Sequence, residues 1–284
     1  MILRPTQENE ASEEVSEYYR QLKDAFGIHF VPIFFRYIGS FPQYCEYITS
    51  QIMPLVKDER FSKLTEEQCK LTKEILSEYF PKGEDTQSFL KKLKDSVEYY
   101  QFQKDLFHIF SGNTKIVIIF IAIREAVKGW AIAAKKLTAK TEYGQPDVRV
   151  EGNVTAAFVY EDFIQKVYTR EVDDRGIPIR SNQELARTND KSITQSLLSS
   201  YMQLVKREYE VLSKTERFLY FRVEMEKIIV SKLDLLPQKI ESPINIVLEL
   251  TQKYPTFAEL LHLLSDQFPT TAMHRYLFSG WILP

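Results

Sequence analysis

Apolar residues recur along this chain at steps of three and four, with charged residues between them. Val15, Tyr19, Leu22 and Phe26 show the pattern first, and it predicts an amphipathic helix over 13–25 that Gly27 punctuates. Phe30 to Ile38 is a dense apolar and aromatic stretch around Arg36. Ser40-Phe41-Pro42 reads as the next start, with Ser40 as cap and the proline in the first turn. Thr65-Glu66-Glu67-Gln68 reads as a capping box opening a helix that Pro81 stops. Asp85 to Phe110 is periodic again. Ser111-Gly112-Asn113 then predicts a break, and Thr114 to Leu137 continues as the most buried helix of this half. No segment alternates convincingly with a period of two, so the expected fold class is all-α.

The later part of the chain repeats the theme. Residues 140–152, with Gly144, Pro146 and Gly152, read as a linker. Helix is expected from about Thr155 to Thr169, with a second break over Asp173 to Pro178. Ser192 to Leu235 reads as two helices end to end, closed by Pro237 and Pro243. Thr256-Phe257-Ala258-Glu259 is another capping box. Segment 105–113 (DLFHIFSGN) aligns without a gap with 259–267 (ELLHLLSDQ), 154 residues further on. The match predicts two related helical halves, 1–139 and 153–284, joined through 140–152 as a pseudodimer with a cleft on its axis. Ser111 and Ser265 are expected at helix breaks, where backbone amides at a helix N-terminus favour an anion. Asn113 is expected as an N-cap.

Charge narrows the function classes. Lys plus Arg is 37 and Asp plus Glu is 39, so no net positive field recruits nucleic acid. The longest purely apolar run, Ile116 to Ile123, is far short of the roughly 20 residues a bilayer needs, so no membrane span is expected. The N-terminus lacks a signal-peptide pattern, and a cytoplasmic protein is expected. Cys45 and Cys69 read as buried thiols rather than a disulfide framework. His29, His108, His262 and His274 have no metal-ligand spacing, so no metal site is expected. His108 and His262 occupy matching places in the echo and read as half-buried donors to a nearby carbonyl. Asparagine at 113 offers donors and an acceptor that can hold a water.

Several segments resemble the group I 2-haloacid dehalogenases, the DehI-type family, within a broader AhpD-like helical pattern. They are Tyr19-Arg20-Gln21-Leu22-Lys23 leading to Gly27-Ile28-His29-Phe30, then Arg36-Tyr37-Ile38-Gly39-Ser40-Phe41-Pro42-Gln43-Tyr44, then Phe110-Ser111-Gly112-Asn113. The resemblance is clear over about 1–135 and weaker but collinear from about 155 onward. It implies two helical halves with the active site between them, no metal or organic cofactor, and a short carboxylic acid as ligand. It implies an aspartate that activates a water. The water attacks C2, inverts that carbon and expels halide.

By the same resemblance Asn113 helps position the water, Phe30 and Ile33 wall the pocket, and Ser181 precedes the catalytic position. That position is Asn182 here, where the family has aspartate. An amide is a very poor base at neutral pH. Glu184 or Asp190 would occupy the carboxylate's place only with a shift of the alignment. Three functions therefore stay open: a 2-haloacid dehalogenase, a related cofactor-free hydrolase with altered chemistry, and a non-catalytic helical protein that binds a small carboxylate or a protein partner. A homodimer is an allowed assembly.

Overall fold

The computed structural model describes residues 3–28, 30–94, 97–138 and 191–284, and all regular structure among them is helical. The expected linker, the helix over 155–169 and the break over 173–178 lie outside the described residues, as do Ser181, Asn182, Glu184, Asp190 and His29.

α1 (Glu13–Phe26) forms where its pattern places it. Ser12 caps it by accepting from the Val15 amide at 3.3 Å, and Val15, Tyr19, Leu22 and Phe26 form its buried face. Gly27 ends it at φ 64°, with its own N–H on Asp24 and the Ile28 N–H on Lys23, so only a residue without Cβ strain closes the helix here. α2 (Ile33–Ile38) is short and almost wholly buried. α3 (Pro42–Lys57) starts with proline in its first turn, as expected, but Ser40 does not cap it. The Ser40 hydroxyl instead donates to the Arg4 carbonyl at 2.6 Å and lies 3.1 Å from Thr6 Oγ1, tying down the N-terminal strap.

α4 (Glu59–Tyr79) begins earlier than the capping box predicts. Asp58 caps it, accepting from the Arg60 amide at 2.8 Å. Thr65 lies inside the helix, buried, with its hydroxyl on the Phe61 carbonyl at 2.8 Å. Sequence alone does not distinguish a threonine that caps from one that bonds back one turn. α5 (Glu84–Leu93) follows, then α6 (Val97–Thr138), 42 residues without interruption. The expected break at Ser111-Gly112-Asn113 is absent. Gly112 is buried and lies against Ile28, so here glycine serves close packing rather than a turn.

α7 (Lys191–Leu212) and α8 (Glu216–Lys232) are the two helices end to end, with Thr215 capping α8 by accepting from the Phe218 amide at 3.3 Å. A single 3₁₀ turn, α9 (Ile244–Lys253) and α10 (Phe257–His262) lead to a π-helical turn over Leu263–Gln267 and then α11 (Phe268–Trp281). The second expected break, at Ser265, is thus a π-turn that keeps the helix going. Thr256 stands at the start of α10 but makes no side-chain cap bond.

α6 is the centre of the packing. Ile116 through Ile123 is buried on every side, and α1, α4, α8, α9, α10 and α11 all lie against this helix. Such a helix must be sheathed by others. By mean hydropathy Leu106–Lys128 is long and apolar enough to cross a membrane, which corrects the expectation drawn from the unbroken run alone. Of its apolar window, 67% is buried inside the fold, as in a core helix.

α6 and α11 run antiparallel: Phe110 stacks on Tyr276 at 5.6 Å, whereas Phe120 meets Phe268 at 6.2 Å. Polar ties lace the late helices to the early ones. Glu208 of α7 accepts from the Gly83 amide at 2.8 Å and from the Thr86 hydroxyl at 2.6 Å, placing a carboxylate at the start of α5. The Trp281 indole donates to the Phe80 carbonyl at 2.8 Å. Between α4 and α11, the buried Tyr276 hydroxyl is shared by Thr72 and Gln68, and Lys232 reaches Gln68 at 2.8 Å.

Phe120 touches Phe34 at 4.9 Å, Phe35 at 5.2 Å and Phe268, with no measurable exposure. Phe120→Ala should therefore cost about 3–5 kcal/mol. Urea unfolding should show a lower midpoint with an unchanged slope.

Candidate functional site

Asn113 lies mid-helix in α6 and is only 8% exposed. It is not the N-cap expected of it, because α6 does not start there. The associated anion site at a helix N-terminus is likewise not formed. A buried asparagine inside a helix is locally unfavourable, and its carboxamide makes no hydrogen bond among the described residues. It therefore presents a donor pair and an acceptor to whatever adjoins it.

The N-terminal strap comes to this part of α6. The Gly27 carbonyl lies 2.6 Å from His108 Nε2, which donates to it, and Ile28 packs on Gly112, the neighbour of Asn113. Glu8 holds the next stretch by accepting from the Val31 amide at 2.8 Å and pairing with Lys23 at 3.2 Å. Phe30 is half-buried in this strap and Ile33, buried, opens α2. Asn113 and Phe120 stand seven residues apart, nearly two helical turns, and so share one face of α6. Phe34 lies against Phe120 on that face. The structure thus brings the strap and α2, which carry Phe30 and Ile33, to the helix that carries Asn113.

Arg275 was missed by sequence reasoning. It is buried in α11 at 7% exposure, with its guanidinium 5.7 Å from the centre of the Phe34 ring. One signal was available: apart from His274, it is the only basic residue in the apolar run from Phe268 to Pro284. A planar fork of donors suits a carboxylate. Asn113 and Phe120 thus share a face of α6, and the buried Arg275 of α11 overlies Phe34, the ring beside Phe120.

The remaining candidates are structural. His108 makes the expected bond to a carbonyl, although its side chain is exposed; His262 is half-buried and makes no such bond among the described residues. Cys45 and Cys69 are buried and free, as expected. Burial pushes the Cys45 thiol up to about 12 and raises that of Cys69, which lies 3.1 Å from the Thr114 hydroxyl; neither is a ready nucleophile. Among the described residues no cluster of His, Cys, Asp or Glu could hold a metal ion.

No protein-family model matches the chain, and no characterised protein matches it by sequence. Solved structures do. A D-2-haloacid dehalogenase mutant in complex with D-2-CPA superposes with a TM-score of 0.64 at 18% identity, over 98% of this chain and 94% of that one. A D-2-haloacid dehalogenase in complex with L-LA gives 0.63 at the same identity and coverage. At this identity the likeness shows a shared fold alone; among the described residues that fold is all-α, as the sequence resemblance implied.

His274 yields a pH test. Its ring nitrogen accepts from Arg222 at 2.7 Å; burial, with the Arg222 charge second, holds it down to about 4. The folded state keeps it neutral, while the unfolded chain takes up a proton below about 6.5. Stability should therefore fall as pH drops from about 6.5 to 4, by up to about 3 kcal/mol from this group. Urea midpoints measured across that window should flatten in His274→Gln, which keeps an acceptor for Arg222.

Proposed function

We propose that this chain holds a short 2-substituted carboxylic acid against α6 and releases halide from 2-haloacids weakly, limited by the amide at position 182. The observation that carries the reading is the buried Asn113, whose carboxamide has no partner among the described residues, on the same face of α6 as Phe120, whose neighbour Phe34 lies under Arg275. A carboxylate finds a cation and donors there, and a short alkyl part finds aromatic surface. The shared fold with the D-2-haloacid dehalogenases supports the substrate class.

In the reaction, a water positioned by Asn113 forms a bond to C2 while the carbon–halogen bond breaks and the halide leaves with the electron pair. The proton lost by the water must go to a base. Aspartate serves in the family this chain resembles; Asn182 has no comparable basicity. Phe30 and Ile33 wall the pocket, Ser181 borders it, and no cofactor takes part. The two halves, 1–139 and 153–284, each contribute to the site. The same asparagine favours a second reading, a carboxylate-binding protein without turnover.

Halide release from D- and L-2-chloropropionate tests this. Wild type should be slow, and Asn182→Asp should gain about 10²–10⁴-fold by restoring a general base. In that background Asn113→Ala should remove the gain. Arg275→Lys should raise KM several-fold with a smaller change in kcat, because lysine keeps the charge and loses the fork. No gain in a folded Asn182→Asp protein that still binds 2-chloropropionate would overturn the dehalogenase reading and favour the binding one. Fast wild-type turnover that survives Glu184→Gln with Asp190→Asn would show that the base lies elsewhere.

A further inference from the structure

Phe30, one wall of the proposed pocket, is not carried by a helix. Ile28 and Phe30 to Pro32 stand outside regular structure, between the end of α1 and the start of α2. α2 has only six residues and starts without a side-chain cap, so it needs support from elsewhere. Three consecutive residues near the N-terminus supply it. The Thr6 amide donates to the Arg36 carbonyl at 2.9 Å, and the Arg36 guanidinium donates to Gln7 Oε1 at 2.6 Å. The Glu8 carboxylate accepts from the Val31 amide at 2.8 Å, just ahead of Pro32, which has no N–H to offer. Tyr19 of α1 anchors this segment in turn, its hydroxyl donating to the Thr6 carbonyl at 3.0 Å.

Phe30 thus hangs between two fixed points. On one side the Gly27 carbonyl takes the His108 bond, and on the other the Val31 amide donates to Glu8. Val31 follows Phe30 in the chain, so the Glu8 bond sets the backbone from which the Phe30 ring leaves. Val31 is buried, at 1% exposure, and its amide would be costly to leave without an acceptor. A carboxylate on a backbone N–H is a charge-assisted bond of the stronger kind. Glu8 also pairs with Lys23 at 3.2 Å, but both side chains there are partly exposed, and such a pair contributes little.

We infer that Glu8 is a positioning residue for the ligand: through its bond to the Val31 amide it holds the Phe30 ring where the short acid packs. The inference rests on the pocket proposed above. It adds to that pocket a residue that touches neither the acid nor the water, far from Asn113 in the chain, and whose effect on affinity passes through one aromatic wall.

The test is calorimetric titration of the full chain with 2-chloropropionate, run beside urea unfolding. Glu8→Ala should weaken binding by about three- to tenfold, since the Val31 amide loses its acceptor and the wall its set position. Glu8→Gln keeps an acceptor and should restore most of the affinity. In a Phe30→Ala background Glu8→Ala should have no further effect, because no ring is left to place. Hydrogen exchange at the Val31 amide should quicken in Glu8→Ala and stay slow in Glu8→Gln. Glu8 is exposed and lies outside any helix, so both variants should fold. A lower urea midpoint in Glu8→Ala with an unchanged dissociation constant would make the residue merely structural and overturn the inference. An equal loss of affinity with and without the Phe30 ring would overturn it too. Wild type that takes up no 2-chloropropionate would instead sink the reading of the pocket, and this inference with it.

Discussion

A helix that is apolar around its whole circumference cannot stand at a protein surface, and that constraint organises this molecule. Ile116 to Ile123 leaves no face for water, so neighbours must cover α6 on all sides. α11 takes one flank through Phe110–Tyr276 and Phe120–Phe268, and α2 takes another through Phe34 and Phe35. Contacts near the helix are tight. A Cβ on Gly280 would sit 2.7 Å from the Phe110 ring, so α11 approaches α6 only because that residue has no side chain.

Polar groups inside such a core are tolerable only when paired. Most are. Tyr276, Thr72, Gln68 and Lys232 satisfy one another, and Glu208 meets both the Gly83 amide and the Thr86 hydroxyl. Against that background Asn113 stands out, because its carboxamide has no partner among the described residues, and Arg275 lies buried over the Phe34 ring. Groups kept at a cost to stability, where the packing elsewhere is complete, are reasonable markers of a ligand.

On the proposed reading, the chemistry at position 182 separates binding from turnover. Recognition of a short acid needs donors, a cation and apolar walls, and on the proposed reading Asn113, Arg275 and the Phe120–Phe34 pair supply them. Displacement of halide needs in addition a group that accepts a proton from water, and asparagine does not supply it. Under the proposed reading, a chain that shares its fold with the D-2-haloacid dehalogenases would differ from them in reactivity through one side chain.

The local pattern settled much in advance. The three–four spacing of Val15, Tyr19, Leu22 and Phe26 made α1 legible, Gly27 marked its end, and the run at 116–123 marked the central helix. Phe30 and Ile33 were legible as candidate site residues only by resemblance, and Asn113 by its amide chemistry as well. The expected breaks at Ser111 and Ser265 failed for one physical reason. Serine, glycine and asparagine weaken a helix by roughly 0.5–1 kcal/mol each, which favours interruption in an isolated segment. In the folded protein, burial of the flanking apolar turns against α11 outweighs that cost, and α6 runs straight through. Thr65 and Ser40 went the same way: both have capping chemistry, but the Thr65 hydroxyl bonds back one turn to the Phe61 carbonyl, and that of Ser40 to the Arg4 carbonyl, which only the folded chain brings near. Arg275 shows the other limit. Nothing in its local sequence says that a basic residue 155 positions beyond Phe120 ends beside Phe34. Only the antiparallel packing of α11 on α6 decides that, because it depends on contacts between side chains far apart in the chain.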